Sequence, residues 1–317
     1  MTENYCFMLC VPCYMNSPSL SELIKQFLEH LEIDRNVSQL TIRNYHHYLQ
    51  RFLSFLEKRY PGAVSPADID QEVMRGYRLF LSRYADGHGL TLKRVTQGYH
   101  IIALRSFLKY LTKREITSLP AESIDIPKGE SRSLKFLERD QMERLLASPD
   151  NARDKAMIEL LFSTGLRVSE LVSLDRGQLN FERKEFGVIG KGRRARVVFL
   201  SDNAIHWLQN YLETREDNDP ALFIRTSGRK DAPLRLTTRT VQRIVEKYAK
   251  QTRLPVKITP HGIRHTFATD LLSAGADLRA IQEMLGHKTI ATTQIYTHVT
   301  NPQLKKIHAE FHRKSKE

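Results

Sequence analysis

Four segments in the second half of the chain carry side chains suited to work on a phosphodiester. Thr164-Gly165-Leu166-Arg167-Val168-Ser169-Glu170-Leu171 places an arginine just after a glycine helix stop, at the start of the next helix. A guanidinium and free backbone N–H groups at that point suit a phosphate. Taken alone, the plainer reading of Arg167 is a surface arginine paired with Glu170. Lys191 lies in the glycine-flanked turn Gly190-Lys191-Gly192. The pattern of a Walker phosphate loop is missing there, so the turn is either merely solvated or able to lower a lysine into a DNA groove.

The third segment, His261-Gly262-Ile263-Arg264-His265, has two histidines four apart on a helix, a spacing also used for zinc. Gly262 stands where a zinc protease carries its glutamate, and Arg264 would repel a cation, so the pair fits an anion better. Arg264 supplies the charge, and His261 can exchange a proton near neutral pH. The fourth segment, Leu285-Gly286-His287-Lys288, is followed by Tyr296 in Ile295-Tyr296-Thr297-His298, a tyrosine among histidines and a lysine that can support a phenolate.

Together these residues form a kit for in-line attack on phosphorus. The arginines would neutralise the nonbridging oxygens, where charge builds at the transition state. The tyrosine oxygen would attack, and a lysine or histidine would protonate the leaving 5′-oxygen. No carboxylate cluster for Mg²⁺ stands out, and neither a metal nor a cofactor is expected.

Hydrophobic periodicity supplies the elements that must position these groups. Leu20, Leu23, Ile24, Phe27, Leu28 and Leu31 predict a first helix. A second runs from about Ser38 to Tyr60 and stops at Pro61-Gly62; a third starts at Pro66 and carries Ile69, Val73, Tyr77, Leu79 and Phe80 inward. A fourth lies near Lys93–Thr112, with Val95, Ile102, Leu108 and Leu111 buried. From Lys113 to Lys135 the periodicity fails among Pro120, Pro127, Gly129, Ser131 and Ser133, the signature of a linker. Helices return with Leu137, Met142, Leu145 and Leu146, then over Arg153–Ser163 up to Gly165. Residues Gln178–Leu200 alternate as a β-hairpin around Gly190–Arg194, and helices follow over Asp202–Leu212, Thr238–Gln251 and Thr259–Ala274. The expected fold is mainly α with a small antiparallel β-sheet, in two domains: 16–112 and 136–317, joined by a linker over 113–135.

The charge agrees with this chemistry. The 317 residues carry 49 Lys and Arg against 36 Asp and Glu, a net charge of +13. Residues 131–317 alone hold 33 basic and 22 acidic side chains. Such an excess favours a polyanionic partner, whose condensed counterions the basic groups release. With 41% hydrophobic and 27% charged residues, and no run of 18 apolar residues, the composition is that of a globular chain with no membrane span. Met1–Met15 has no Lys or Arg, so the basic start of a signal peptide is missing and a cytoplasmic location is expected.

Arg167 in T-G-L-R-x-x-E-L, Lys191 in G-K-G, His261 and Arg264 in H-x-x-R-H, His287 in L-G-H and Tyr296 in Y-T-H together resemble the tyrosine recombinase (phage integrase) family, in particular Xer-type recombinases and simple two-domain integrases. The resemblance runs from about Ser19 to the end. It implies a helical, SAM-like core-binding domain over 16–112 and an α+β catalytic domain over 136–317, ending in a helix exchanged between protomers. It further implies that Arg167, Arg264 and His287 hold the scissile phosphate, that Lys191 and His261 move protons, and that Tyr296 forms a 3′-phosphotyrosyl bond. The implied partner is a double-stranded DNA target site. A homotetramer, or a heterotetramer with a second recombinase, would hold two duplexes, with a DNA translocase as an optional further partner. Chromosome dimer resolution, integration and excision all remain open. A relaxing topoisomerase of similar chemistry and a DNA-binding protein that has lost catalysis are the rival readings.

Cys6, Cys10 and Cys13 are the only cysteines, so no disulfide framework is expected. Their spacing is similar to the cluster ligands of radical enzymes that use S-adenosylmethionine, but the helical sequence that follows lacks the βα alternation of their barrel. Residues 1–15 are expected to be a disordered tail, with Met15 as an alternative start.

Overall fold

The first helix begins where Ser19 offers its side chain to the N–H of Glu22, at 3.2 Å, and it buries Leu20, Leu23, Ile24, Phe27 and Leu31 as the periodicity predicts. A computed structural model describes residues 18–62, 65–85, 89–127, 136–190, 195–229 and 231–286. The chain divides into two compact units, Met1–Arg132 and Ser133–Glu317.

In the first unit α1 (Leu20–Ile33) is followed by α2 (Gln39–Arg59), α3 (Gln71–Arg83) and α4 (Arg94–Lys113). Their shared core is strongly aromatic: Phe27 meets Phe107 at 5.6 Å and Phe52 meets Tyr77 at 4.9 Å between ring centres, both edge-on. Two expectations need correction here. Pro66 starts only a short 3₁₀ turn over Pro66–Asp68, and the helix proper begins at Gln71, where Asp70 accepts from the N–H of Val73 at 2.8 Å. The face of Val73 and Tyr77 continues one turn on to Leu81, which is buried, and Leu79 lies off that face and is half exposed. In α4, Ile101 and Leu104 fill the core, and Ile102 is only half buried. The segment after α4 also packs on this unit: Ala121 and Ile124 are buried, and Gln71 donates to the carbonyl of Ser123 at 3.3 Å.

The second unit contains α5 (Arg139–Ala147), α6 (Ala152–Thr164), α7 (Val168–Ser173), β1 (Glu185–Ile189), β2 (Ala195–Phe199), α8 (Asp202–Glu213), α9 (Thr238–Gln251), α10 (Pro260–Ser273) and α11 (Leu278–Leu285). Helix α6 is buried nearly all round, with Ala156, Met157, Ile158, Leu160 and Leu161 in the core and even Asp154 and Glu159 shielded from solvent, and so it forms the centre of the unit. The two strands pair antiparallel with Val188 opposite Arg196, and Phe186, Val188 and Val198 point into the core. Among the described residues the fold is mainly helical with this small sheet. No helix of those residues is long and apolar enough to cross a membrane. Cys6, Cys10, Cys13, the expected tail 1–15 and the terminal helix expected after Tyr296 lie outside the described residues.

Candidate active site

Gly165 ends α6 in the left-handed region, at φ 59°. A Cβ there would stand 2.5 Å from Cδ1 of Phe267, so both conformation and packing require glycine. The chain then buries Leu166 completely and turns out at Arg167, which caps α7. The Arg167 N–H donates to Oε2 of Glu170 at 2.9 Å, and its Nη1 donates to Oε1 at 2.8 Å. Its side chain keeps 30% exposure.

Helix α10 brings the third segment to the same place. Thr259 caps it, accepting from the N–H of Gly262 at 3.3 Å, and Pro260 fits its first turn. Arg264, one turn on, is 2% exposed. Its Nη1 donates to the carbonyl of Gly165 at 2.6 Å and its Nη2 to the carbonyl of Leu285 at 2.5 Å. Both acceptors lie at helix C-termini, where carbonyls left unbonded by the helix attract a cation. Arg167 reaches the next carbonyl, Gly286 O, through Nη2 at 3.3 Å. The two arginines therefore meet on consecutive carbonyls at the end of α11.

His261 is exposed at the start of α10. A hydrogen bond of 2.9 Å joins its Nε2 to Nε2 of His265, one ring donating and the other accepting. Although part of His261 stays open to solvent, the protein packed around the rest desolvates its ring and lowers its pKa, and the cations of Arg264 and Arg167 add to the effect. His265 is buried and is pushed down to about 4 by that burial, with His261 and Arg264 contributing.

Arg167, His261 and Arg264 are thus brought together. Lys191, His287 and Tyr296 lie outside the described residues, but the residues just before two of them are described. A Cβ on Gly190 would stand 3.6 Å from Nη1 of Arg167, and Gly286 ends α11 at φ 63° with its carbonyl on Arg167. The chain enters Lys191 and His287 from the immediate neighbourhood of Arg167. Among the described residues no group of His, Cys, Asp or Glu could hold a metal ion.

Two charged residues of this cluster were not singled out by sequence reasoning. By sequence Glu170 is only a surface partner of Arg167, yet its side chain is 5% exposed and accepts from both Arg167 and Arg196. Burial by itself would raise its pKa, but the hydrogen bonds from Arg196 and Arg167 outweigh that and hold it at about 2. Arg196 carried a usable signal: two residues before Val198 on a strand, it must share that residue's buried face.

Residues 135–302 match the phage integrase family, and residues 24–115 match the phage integrase N-terminal SAM-like domain. The chain is 36% identical over 313 residues to the tyrosine recombinase XerC of Pelotomaculum thermopropionicum, covering 92% of this chain and 98% of that one. It is 36% identical over 305 residues to XerD of Oceanobacillus iheyensis, covering 92% and 99%. The crystal structure of the XerH site-specific recombinase, bound to palindromic difH substrate in a post-cleavage complex, superposes with a TM-score of 0.67 at 25% identity, covering 91% of this chain and 85% of that one. This chain belongs to the phage integrase family, the tyrosine recombinases.

Proposed function

We propose that the chain performs site-specific recombination with Arg167, Lys191, His261, Arg264, His287 and Tyr296 as its catalytic set. Oη of Tyr296 attacks the scissile phosphorus; the P–Oη bond forms as the bond to the 5′-oxygen breaks. Arg167, Arg264 and His287 hold the nonbridging oxygens. Lys191 gives the 5′-oxygen its proton. His261, neutral near pH 7 because its pKa is lowered, suits taking the proton of Tyr296. A 5′-hydroxyl from the partner strand then attacks the 3′-phosphotyrosyl bond and reverses the chemistry, so ligation draws on no nucleotide.

The observation that carries this reading is the meeting of Arg167 and Arg264 on the consecutive carbonyls of Gly286 and Leu285, with His261 close enough for both to lower its pKa. Three separate segments converge there, with Lys191 and His287 each one residue further along the chain. Incubation with a nicked suicide substrate, followed by digestion and mass spectrometry, tests it. The expected product is a nucleotide on Tyr296; a nucleotide on another residue would overturn the assignment.

The partner we propose is double-stranded DNA, held by the two domains in a tetramer on two duplexes. The tetramer is built of this chain alone or together with a second recombinase. The bound relatives in the solved structures and the excess of basic residues support this. We further propose that residues 301–317, with Leu304, Ile307 and Phe311 at helical spacing, dock on a neighbouring protomer. Deletion after Pro302 should leave single-site binding intact and abolish cooperative filling of two-site DNA in a gel-shift titration.

A further inference from the structure

Arg196 is a cation on the inward face of a small sheet, 9% exposed. Burying a guanidinium is costly unless its donors are matched. Here they are matched in two directions. Nη1 and Nη2 donate side by side to Oε1 and Oε2 of Glu170, at 2.9 and 2.7 Å. Nε donates the other way, to the carbonyl of Met284 in the last turn of α11, at 2.9 Å. A lysine ammonium could keep the carboxylate but could not also span to α11.

The glycines on either side of this guanidinium fit closely around it. A Cβ on Gly190 would lie 3.2 Å from Nη1 of Arg196 and 3.3 Å from Oε1 of Glu170. A Cβ on Gly286 would lie 3.1 Å from Cδ and 3.3 Å from Nη1 of the same arginine. These two glycines immediately precede Lys191 and His287. Arg167 donates to the same Oε1 of Glu170 that Arg196 uses. One buried ion pair therefore touches the segments that lead into three members of the proposed catalytic set.

We propose that Arg196 is a positioning residue: its guanidinium ties the β1–β2 hairpin to Glu170 of the Arg167 segment and to the end of α11, and so sets Lys191, Arg167 and His287 in register. It donates to protein groups and takes no phosphate contact itself. This rests on the catalytic set proposed above.

The test compares wild type, Arg196→Met and Arg196→Lys, each alone and combined with Lys191→Ala. Single-turnover cleavage of a nicked suicide substrate, equilibrium binding to site DNA and the unfolding midpoint are measured for each. A misplacement of about 1 Å can cost roughly 10²-fold in rate, and losses of that order are expected for both single variants while site affinity stays within about threefold. Arg196→Lys keeps a cation on Glu170 and decides the matter should Arg196→Met fail to fold. Positioning also predicts non-additivity: once Lys191 is removed, adding Arg196→Lys should cost much less than it does in wild type. Near-normal cleavage by Arg196→Lys, or losses that multiply in the double variant, would overturn the proposal. Failure of wild type to form an adduct would instead count against the catalytic set. In that case hydrogen exchange still decides for Arg196: in Arg196→Lys the β1–β2 hairpin and the end of α11 should open faster together, and unchanged exchange there would reject the tie.

Discussion

Arg264 donates through Nη1 to the backbone carbonyl of Gly165, 99 residues earlier in the chain, at 2.6 Å. This single bond ties the H-x-x-R segment to the glycine stop that launches Arg167. It also explains why the two arginines should respond differently to substitution. Arg167 has 30% side-chain exposure, whereas Arg264 is 2% exposed and holds two helix-end carbonyls.

Arg167→Ala should therefore fold normally and bind site DNA, but lose about 10²–10³-fold in cleavage, the usual cost of one transition-state donor. Arg264→Ala should lose at least as much cleavage and also lose stability. Each buried carbonyl left without its donor costs about 1–3 kcal/mol. Denaturant midpoints measured beside single-turnover rates separate the two cases. Equal midpoints for the two variants would contradict the anchoring role of Arg264.

Lys191 as the proton donor makes a chemical prediction. A substrate with sulfur at the 5′-bridging position leaves without protonation, so it should restore cleavage by Lys191→Ala and leave Arg167→Ala slow. Equal rescue of both, or rescue of neither, would remove Lys191 from that role.

Most of the fold was legible in periodicity. The core face of α1 and the β-hairpin follow from spacing alone, as do the bounds of α9. What escaped was set by tertiary contact. Pro66 suits both a 3₁₀ turn and a helix start, and only the side chain of Asp70 fixes the helix at Gln71. In the site, Arg167 was readable because it follows a glycine helix stop, and His261 and Arg264 because they lie one turn apart on one helix. Glu170 and Arg196 are 26 residues apart, and their pairing crosses between separate segments of the chain, which no local pattern records.

Stability should depend on pH through two buried histidines, one in each unit. His100 accepts at Nε2 from Nη1 of Arg51 at 2.9 Å and donates from Nδ1 to the carbonyl of Thr96 at 2.8 Å. Its neutral form is thereby fixed, and burial, with Arg51 and His47 adding to it, pushes its pKa down to about 4 from 6.5. His265 is likewise pushed down to about 4. The unfolded chain takes up these protons below its ordinary pKa and the folded chain only near 4. The stabilisation is complete above pH 6.5 and is lost as pH falls from there through 4, by roughly 3 kcal/mol for each histidine. His100→Gln should flatten the rise of stability with pH between about pH 4 and 6.5 in chemical unfolding. An unchanged slope would show that His100 is not held neutral.

Binding to site DNA should be strongly salt-dependent. If the two domains together neutralise roughly 6–10 phosphates, affinity should fall about 10³–10⁵-fold from 50 to 200 mM salt. A nearly flat titration would contradict binding through the phosphate backbone.

The most direct measurement concerns Tyr296. Wild type and Tyr296→Phe are incubated with a nicked suicide substrate and run on a denaturing gel, with site binding measured in parallel. The substitution removes only the attacking oxygen, so the variant should bind as wild type does and yield no covalent protein–DNA band. A persistent band from Tyr296→Phe would contradict the assignment of the nucleophile, and with it the catalytic set built around Arg167 and Arg264.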